Sequence, residues 1–196
     1  MRNVKTRNPV YSDNTVYFLT DSTYLHYPYF KTEEQKIIVL NQIKKINKEL
    51  GIPISAYSIS ANHYHLKFYI EKSSDMAKIK KLLRGGISYE YRRKYKVEYD
   101  SIWQSRKIIY VNSENANWKI TGYIIGNLLK HKEVSAFEEL KANEFSSFRY
   151  MAEKYGDEEM RELVRGVIDI EEDAFGAIDL GGLDNLNFKN RAAKAA

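Results

Sequence analysis

The segment Ile54-Ser55-Ala56-Tyr57-Ser58-Ile59-Ser60-Ala61-Asn62-His63-Tyr64-His65-Leu66-Lys67-Phe68-Tyr69-Ile70 decides the fold. Both halves are rich in β-branched and aromatic residues, and Asn62 with its neighbours supplies a tight turn. It therefore reads as two strands, Ile54–Ile59 and His63–Ile70. A helix flanks the pair on each side. Thr32-Glu33-Glu34-Gln35 is a capping-box start, and Ile37, Leu40, Ile43 and Ile46 are spaced for one buried face. Gly51 ends that helix after Leu50. Ser73-Ser74-Asp75 opens the other, which runs through Met76, Ile79, Leu82 and Leu83, is interrupted at Gly85-Gly86 and resumes to about Lys96. At the outer ends stand two more strands, Val16–Thr20 and Ile102–Val111. The order β-α-β-β-α-β predicts an α+β, ferredoxin-like split arrangement, an antiparallel sheet with helices on one face. Asn112-Ser113-Glu114 then caps one more long helix, to about His131.

The chain has 196 residues and no cysteine, which excludes a disulfide scaffold, a thiolate zinc site and a cysteine nucleophile. No apolar run approaches the ~20 residues of a membrane span, and Met1-Arg2-Asn3-Val4-Lys5 does not open a signal peptide. The expectation is a soluble, cytoplasmic protein, nucleoid-associated in a prokaryote. Charge divides the chain. Residues 1–155 carry 26 Lys and Arg against 16 Asp and Glu, and residues 156–196 carry five against ten. A basic body suits a polyanionic partner. Sixteen tyrosines, many beside Lys or Arg, add the rings on which single strands stack. The organisation expected is a basic arm over 1–14, one domain over 15–155, and an acidic, partly irregular tail over 156–196.

Two places carry candidate chemistry. His63 and His65 lie two apart in a strand, so both imidazoles share a face and can reach one cation, while Tyr64 points to the core. Tyr123 and Asn127 are i, i+4 on the last helix, and His131 continues the stripe. Gly122 and Gly126 weaken that helix, a loss that close approach of a strand or a nucleic-acid backbone would explain. Two imidazoles, and an exposed tyrosine some 60 residues later with an amide one turn on, suit metal-assisted phosphoryl transfer. The tyrosine is the nucleophile and a nearby cation helps it ionise.

The sequence resembles a family at this point. Asn62-His63-Tyr64-His65-Leu66 is similar to the "NHxHL" signature of single-tyrosine HUH transposases. Trp103-Gln104-Ser105-Arg106 resembles their "WQxR" segment, and Tyr123 through His131 their "YIxxNPVKH" segment. Phe145-Ser146-Ser147-Phe148-Arg149 resembles the "WSSFR"-type segment that follows. Order and spacing match the REP-associated tyrosine transposase branch of the insertion-sequence 200 type, over about residues 10–155. The resemblance implies a nuclease that nicks and joins single-stranded or hairpin DNA through a 5′-phosphotyrosyl link. It implies Tyr123 as nucleophile, and His63, His65 and Asn127 as ligands of Mg²⁺ or Mn²⁺. Imidazole donors favour Mn²⁺ or another transition ion. Ala61 and Leu128 stand where the family often has proline. A homodimer is one open arrangement, with Tyr123 acting in cis or in a partner's site.

Around that centre, Arg106, Lys107 and Trp103 read as phosphate and base contacts, and Lys130, His131 and Arg84 join them as DNA-binding candidates. The rival readings are a non-catalytic single-stranded DNA or RNA-binding module on the same fold and a transposase-derived DNA-binding regulator.

Overall fold

The computed structural model describes residues 10–97 and 101–172. Most of the expected N-terminal arm, and residues 173–196 of the expected tail, lie outside them. The strands are β1 (Thr15–Thr23), β2 (Ile54–Ile59), β3 (His63–Ile70) and β4 (Trp103–Tyr110). They form one antiparallel sheet in the order β2-β3-β1-β4, so β3 sits between β1 and β2 as the split arrangement requires. The strand expected over Val16–Thr20 extends to Thr23, and a 3₁₀ turn, Tyr24–His26, follows it.

Helix α1 (Glu33–Leu50) starts where its capping box places it. Thr32 accepts from Gln35 N–H, the Gln35 side chain bonds back to Thr32 N–H, and Gly51 closes the helix at φ +67°. Its buried face runs through Val39, Leu40, Ile43 and Ile46. Ile37, expected on that face, is exposed. The second crossover is α2 (Asp75–Lys80) and α3 (Ile87–Tyr95) joined by a π-helical turn, Lys81–Gly86. Gly85-Gly86 therefore does not interrupt the helix. The chain widens there, and a Cβ on Gly86 would lie 2.5 Å from Gln42 Oε1 of α1.

After β4, Ser113 caps α4 (Glu114–Lys130) by accepting from Ala116 N–H at 3.1 Å. Helix α4 covers the sheet face that carries Phe18, Thr20, His63, His65 and Lys67. The π-helical turn and α3 meet the opposite face, beside Asp21 and Tyr64. Three short helices follow, α5 (Phe137–Ala142), α6 (Phe148–Tyr155) and α7 (Asp157–Arg165). The last corrects a reading of the sequence. The partly irregular tail expected over 156–196 opens instead with this helix, and Met160, Leu163, Val164 and Val167 are buried. They also explain the glycines of α4. A Cβ on Gly126 would stand 2.5 Å from Val164 Cγ1, and one on Gly122 would stand 2.8 Å from Leu163 Cγ. The close approach is a helix, not a strand or nucleic acid.

Candidate active site

β3 and α4 bring His63, His65, Tyr123 and Asn127 together, as the sequence pattern requires. The imidazoles of His63 and His65 lie 4.8 Å apart, centroid to centroid. The Tyr123 hydroxyl is 3.4 Å from His65 Nε2, and Asn127 Oδ1 is 3.1 Å from His63 Nε2. One expectation fails. Tyr123 is not an exposed tyrosine; it is 2% exposed, with its ring against Phe18 and His65. The long rows of apolar contacts on α4 hold its whole inner face against the sheet, and Tyr123 lies within that face.

Each imidazole is fixed from behind. Thr20 Oγ1, directly across from His65 in the β1–β3 register, is 2.9 Å from His65 Nδ1. Asn62 Oδ1 is 2.7 Å from His63 Nδ1. In the tautomer with the proton on Nδ1, Nε2 of each ring presents its lone pair to the space between β3 and α4. Burial, and then the neighbouring His131, push His63 down to about 4. Burial and the His63 ring push His65 well below the usual histidine range. Both rings are therefore neutral at pH 7, the state a metal ligand requires.

Asn127 is the polar atom set that does not close. Its Oδ1 accepts from Ser60 Oγ at 3.0 Å and faces His63 Nε2, while its buried Nδ2 has no hydrogen-bond partner. Turning the amide over would leave Oδ1 without a partner instead. Two imidazole nitrogens and an amide oxygen that converge on one space fit a divalent cation. Among the described residues no group of three or more His, Cys, Asp or Glu side chains could hold a metal, so such a cation would depend on Asn127 for its third protein ligand.

The C-terminal residues reach the same place. Lys130 Nζ, over the Tyr123 ring, bonds to the carbonyls of Ile168, at 3.0 Å, and Ile170. Glu172 Oε1 lies 3.3 Å from His131 Nε2, and the Tyr123 hydroxyl bonds to the same carboxylate. Burial works to raise this carboxyl, but the bonds from His131 and Tyr123 outweigh it and hold it below the usual range. His131 stacks edge-on to His63 at 4.8 Å. Sequence reasoning missed Glu172, which lies 49 positions after Tyr123 in a stretch with no pattern. It also missed Thr20, which only strand register reveals.

The other candidate contacts divide. Lys107 pairs with Thr20 across β1–β4 and shares the histidine face. Arg106 pairs with Asp21 and faces the other way. Arg84 also binds Asp21, and Trp103 is 6% exposed with its indole N–H donating to Ser88 Oγ at 2.9 Å. These three are not at the histidine site.

Two histidines on a central strand thus face a helix that offers a tyrosine and an amide one turn apart. Residues 20–127, more than half of the chain, match the model of the IS200-like transposase family, and the chain belongs to that family. The fold is similar to that of a REP-associated tyrosine transposase solved bound to a REP hairpin. The TM-score is 0.60 at 18% identity, over 90% of this chain and 98% of that one. A solved transposase candidate from Deinococcus radiodurans R1 gives a TM-score of 0.44 at 16% identity, over 61% of this chain and 95% of that one. No curated protein matches the sequence. Among the described residues, no helix is long and apolar enough to cross a membrane.

Proposed function

We propose that this transposase is a metal-dependent nickase and strand transferase of hairpin-bearing single-stranded DNA. Tyr123 is its nucleophile, and His63, His65 and Asn127 hold the cation. The observation that carries the reading is the Tyr123 hydroxyl 3.4 Å from His65 Nε2, with Asn127 one helical turn on and 3.1 Å from His63. A divalent cation bound by these residues supplies Lewis-acid polarisation of the scissile phosphate and neutralises its charge.

The chain's own groups do the rest. Tyr123 Oη bonds to phosphorus, the bond from phosphorus to the 3′ oxygen breaks, and its electron pair leaves with that oxygen. The phenolic proton lost is matched by the proton that the 3′ oxygen takes up as a hydroxyl. Attack by another strand's 3′ hydroxyl reverses the step and joins the two. Thr20 and Asn62 hold the imidazoles in one tautomer, and Glu172 orients the Tyr123 hydroxyl by accepting its proton in a hydrogen bond. Because Tyr123 is 2% exposed and its hydroxyl bonds to Glu172, a phosphate has to displace that contact to reach it. The hairpin in the related structure and the basic surplus of residues 1–155 support a folded-back DNA strand as substrate.

Incubation of a labelled hairpin-bearing single strand with the protein and Mn²⁺, read on a denaturing gel, tests this. The wild type forms a covalent band that peptide mapping places on Tyr123. Tyr123→Phe lowers adduct and nick by at least roughly a thousandfold while still binding the strand. Persistent nicking in that variant, or an adduct on Tyr110 or Tyr150, would sink the assignment.

A further inference from the structure

The turn between β1 and α1 combines two uncommon features in four residues. Leu25 and His26 both adopt left-handed backbone, at φ +50° and +53°, a conformation that glycine or asparagine takes more readily. The turn also turns large side chains outward: Tyr24 is 53% exposed, Leu25 73% and Tyr27 61%. Nothing in the fold asks for a leucine here, since it buries little and strains its own backbone.

The turn is nevertheless held hard from beneath. Tyr24 N–H donates to Ile102 O at 2.9 Å, and Leu25 N–H to Gln104 Oε1 at 2.8 Å. Thr23 Oγ1 donates to Tyr27 O at 2.7 Å. The Tyr27 ring rests edge-on against Tyr29, 4.8 Å away, and Tyr29 is buried against Tyr91. Asn62 joins the turn to the active site. Its Nδ2 donates to His26 O at 3.2 Å, and its Oδ1 is the group 2.7 Å from His63 Nδ1.

We propose that the Tyr24–Tyr27 turn is a stacking platform for an unpaired base of the DNA strand, next to the nucleotide whose phosphate lies at the histidine site. This rests on the reading of the site as one for single-stranded DNA. Rigid, outward aromatic and aliphatic surface suits the face of a base, which stacks without regard to sequence. The basic surplus of residues 1–155 matches the strand's charge. The shared Asn62 amide places the platform one residue from a metal-ligand candidate.

The test measures binding of the full chain, by fluorescence anisotropy, to a blunt hairpin and to the same hairpin with an unpaired extension carrying 2-aminopurine. The wild type prefers the extended strand and quenches its 2-aminopurine. Tyr24→Ala/Tyr27→Ala weakens extended-strand binding about five- to a hundredfold, loses the quench, and changes blunt-hairpin binding less than twofold. Leu25→Gly relieves the left-handed backbone, so it melts at or above the wild-type temperature and yet binds the extension more weakly. A merely structural turn would not give that split. Equal extended-strand affinity in wild type and double variant, or no wild-type preference for the extension, overturns the platform. If a covalent adduct on Tyr123 still forms, only the platform fails; if the wild type forms no adduct, the nuclease reading fails as well.

Discussion

Neighbouring residues of the same strands enter two buried polar clusters of opposite character. Asp21 and Tyr64 point to one face of the sheet, and Thr20, His63 and His65 to the other. On the first face the Asp21 carboxylate is saturated. It accepts from Tyr64 Oη at 2.9 Å, Arg106 Nε at 3.0 Å, Arg84 Nε at 2.7 Å and Arg84 Nη2. Burial and this carboxylate push the Tyr64 phenol well above its ordinary range, so the phenol stays a donor. On the second face the imidazole lone pairs and the Asn127 amide converge without closing. A carboxylate met by two guanidiniums and a phenol suits a cluster that holds the fold together, even though Arg106 Nη2 beside it is buried without a hydrogen-bond partner; converging lone pairs suit one that binds something. Arg84 and Arg106 looked like DNA contacts because cations beside an aromatic segment suit phosphate, but their guanidiniums serve Asp21.

The comparison breaks most visibly if the closed cluster proves dispensable. Asp21→Ala leaves two guanidiniums in a half-buried site without their carboxylate, and the expected loss of stability is about 3–5 kcal/mol. Mn²⁺ affinity should change little in the fraction that remains folded. Urea unfolding and isothermal calorimetry read the two quantities. A variant as stable as the wild type would show that closure is not what this cluster contributes.

The open cluster has a pH signature in the metal-free protein. Burial holds His63 at about 4, below the ordinary 6.5. Between those values the unfolded chain binds a proton that the folded chain refuses. Stability is therefore intact above pH 6.5 and falls as the pH drops toward 4. The gap corresponds to about 3 kcal/mol. Comparing urea unfolding at pH 7 and pH 4.5 for the wild type and His63→Gln isolates this share, because the variant lacks the titrating ring. An equal acid loss in both proteins would place its source elsewhere.

The parts legible in the sequence are those governed by short-range periodicity. Period-2 alternation put His63 and His65 on one face and Tyr64 on the other, and the i, i+4 rule put Tyr123 beside Asn127. Capping rules fixed the start of α1 and of α4. What stayed hidden depends on register or on distant chain. Thr20 reaches His65 only because β1 pairs with β3 in one register, and Arg106 parts from Lys107 because alternate β4 residues face opposite ways. Helix α7 was masked by its acid-rich outer positions, although Leu163, Val164 and Val167 fill the space that Gly122 and Gly126 leave. The burial of Tyr123 could not be read from a helical wheel, since α4 is enclosed by the sheet on one side and α7 on another.

The smallest effect tests the finest feature of the open cluster, the tautomer of His65. Thr20 is 1% exposed, and its Oγ1 lies 2.9 Å from His65 Nδ1. If the hydroxyl accepts from Nδ1–H, the Nε2 lone pair is held toward Tyr123 and the cation position. Valine keeps the β-branched shape and the strand but removes the acceptor, so Thr20→Val frees the ring to place its proton on either nitrogen. The expected result is Mn²⁺ binding weaker by about tenfold, the low end of what such supporting partners contribute. Thr20→Ser, which restores the hydroxyl and lacks only a methyl, should recover most of it. The control is Tyr64→Phe, which removes one donor to Asp21 on the closed face. That change should leave Mn²⁺ affinity within twofold and lower stability by about 1–2 kcal/mol. Should Thr20→Val bind Mn²⁺ as the wild type does, the cation does not depend on His65 Nε2, and the two faces of the sheet differ less than their hydrogen bonds indicate.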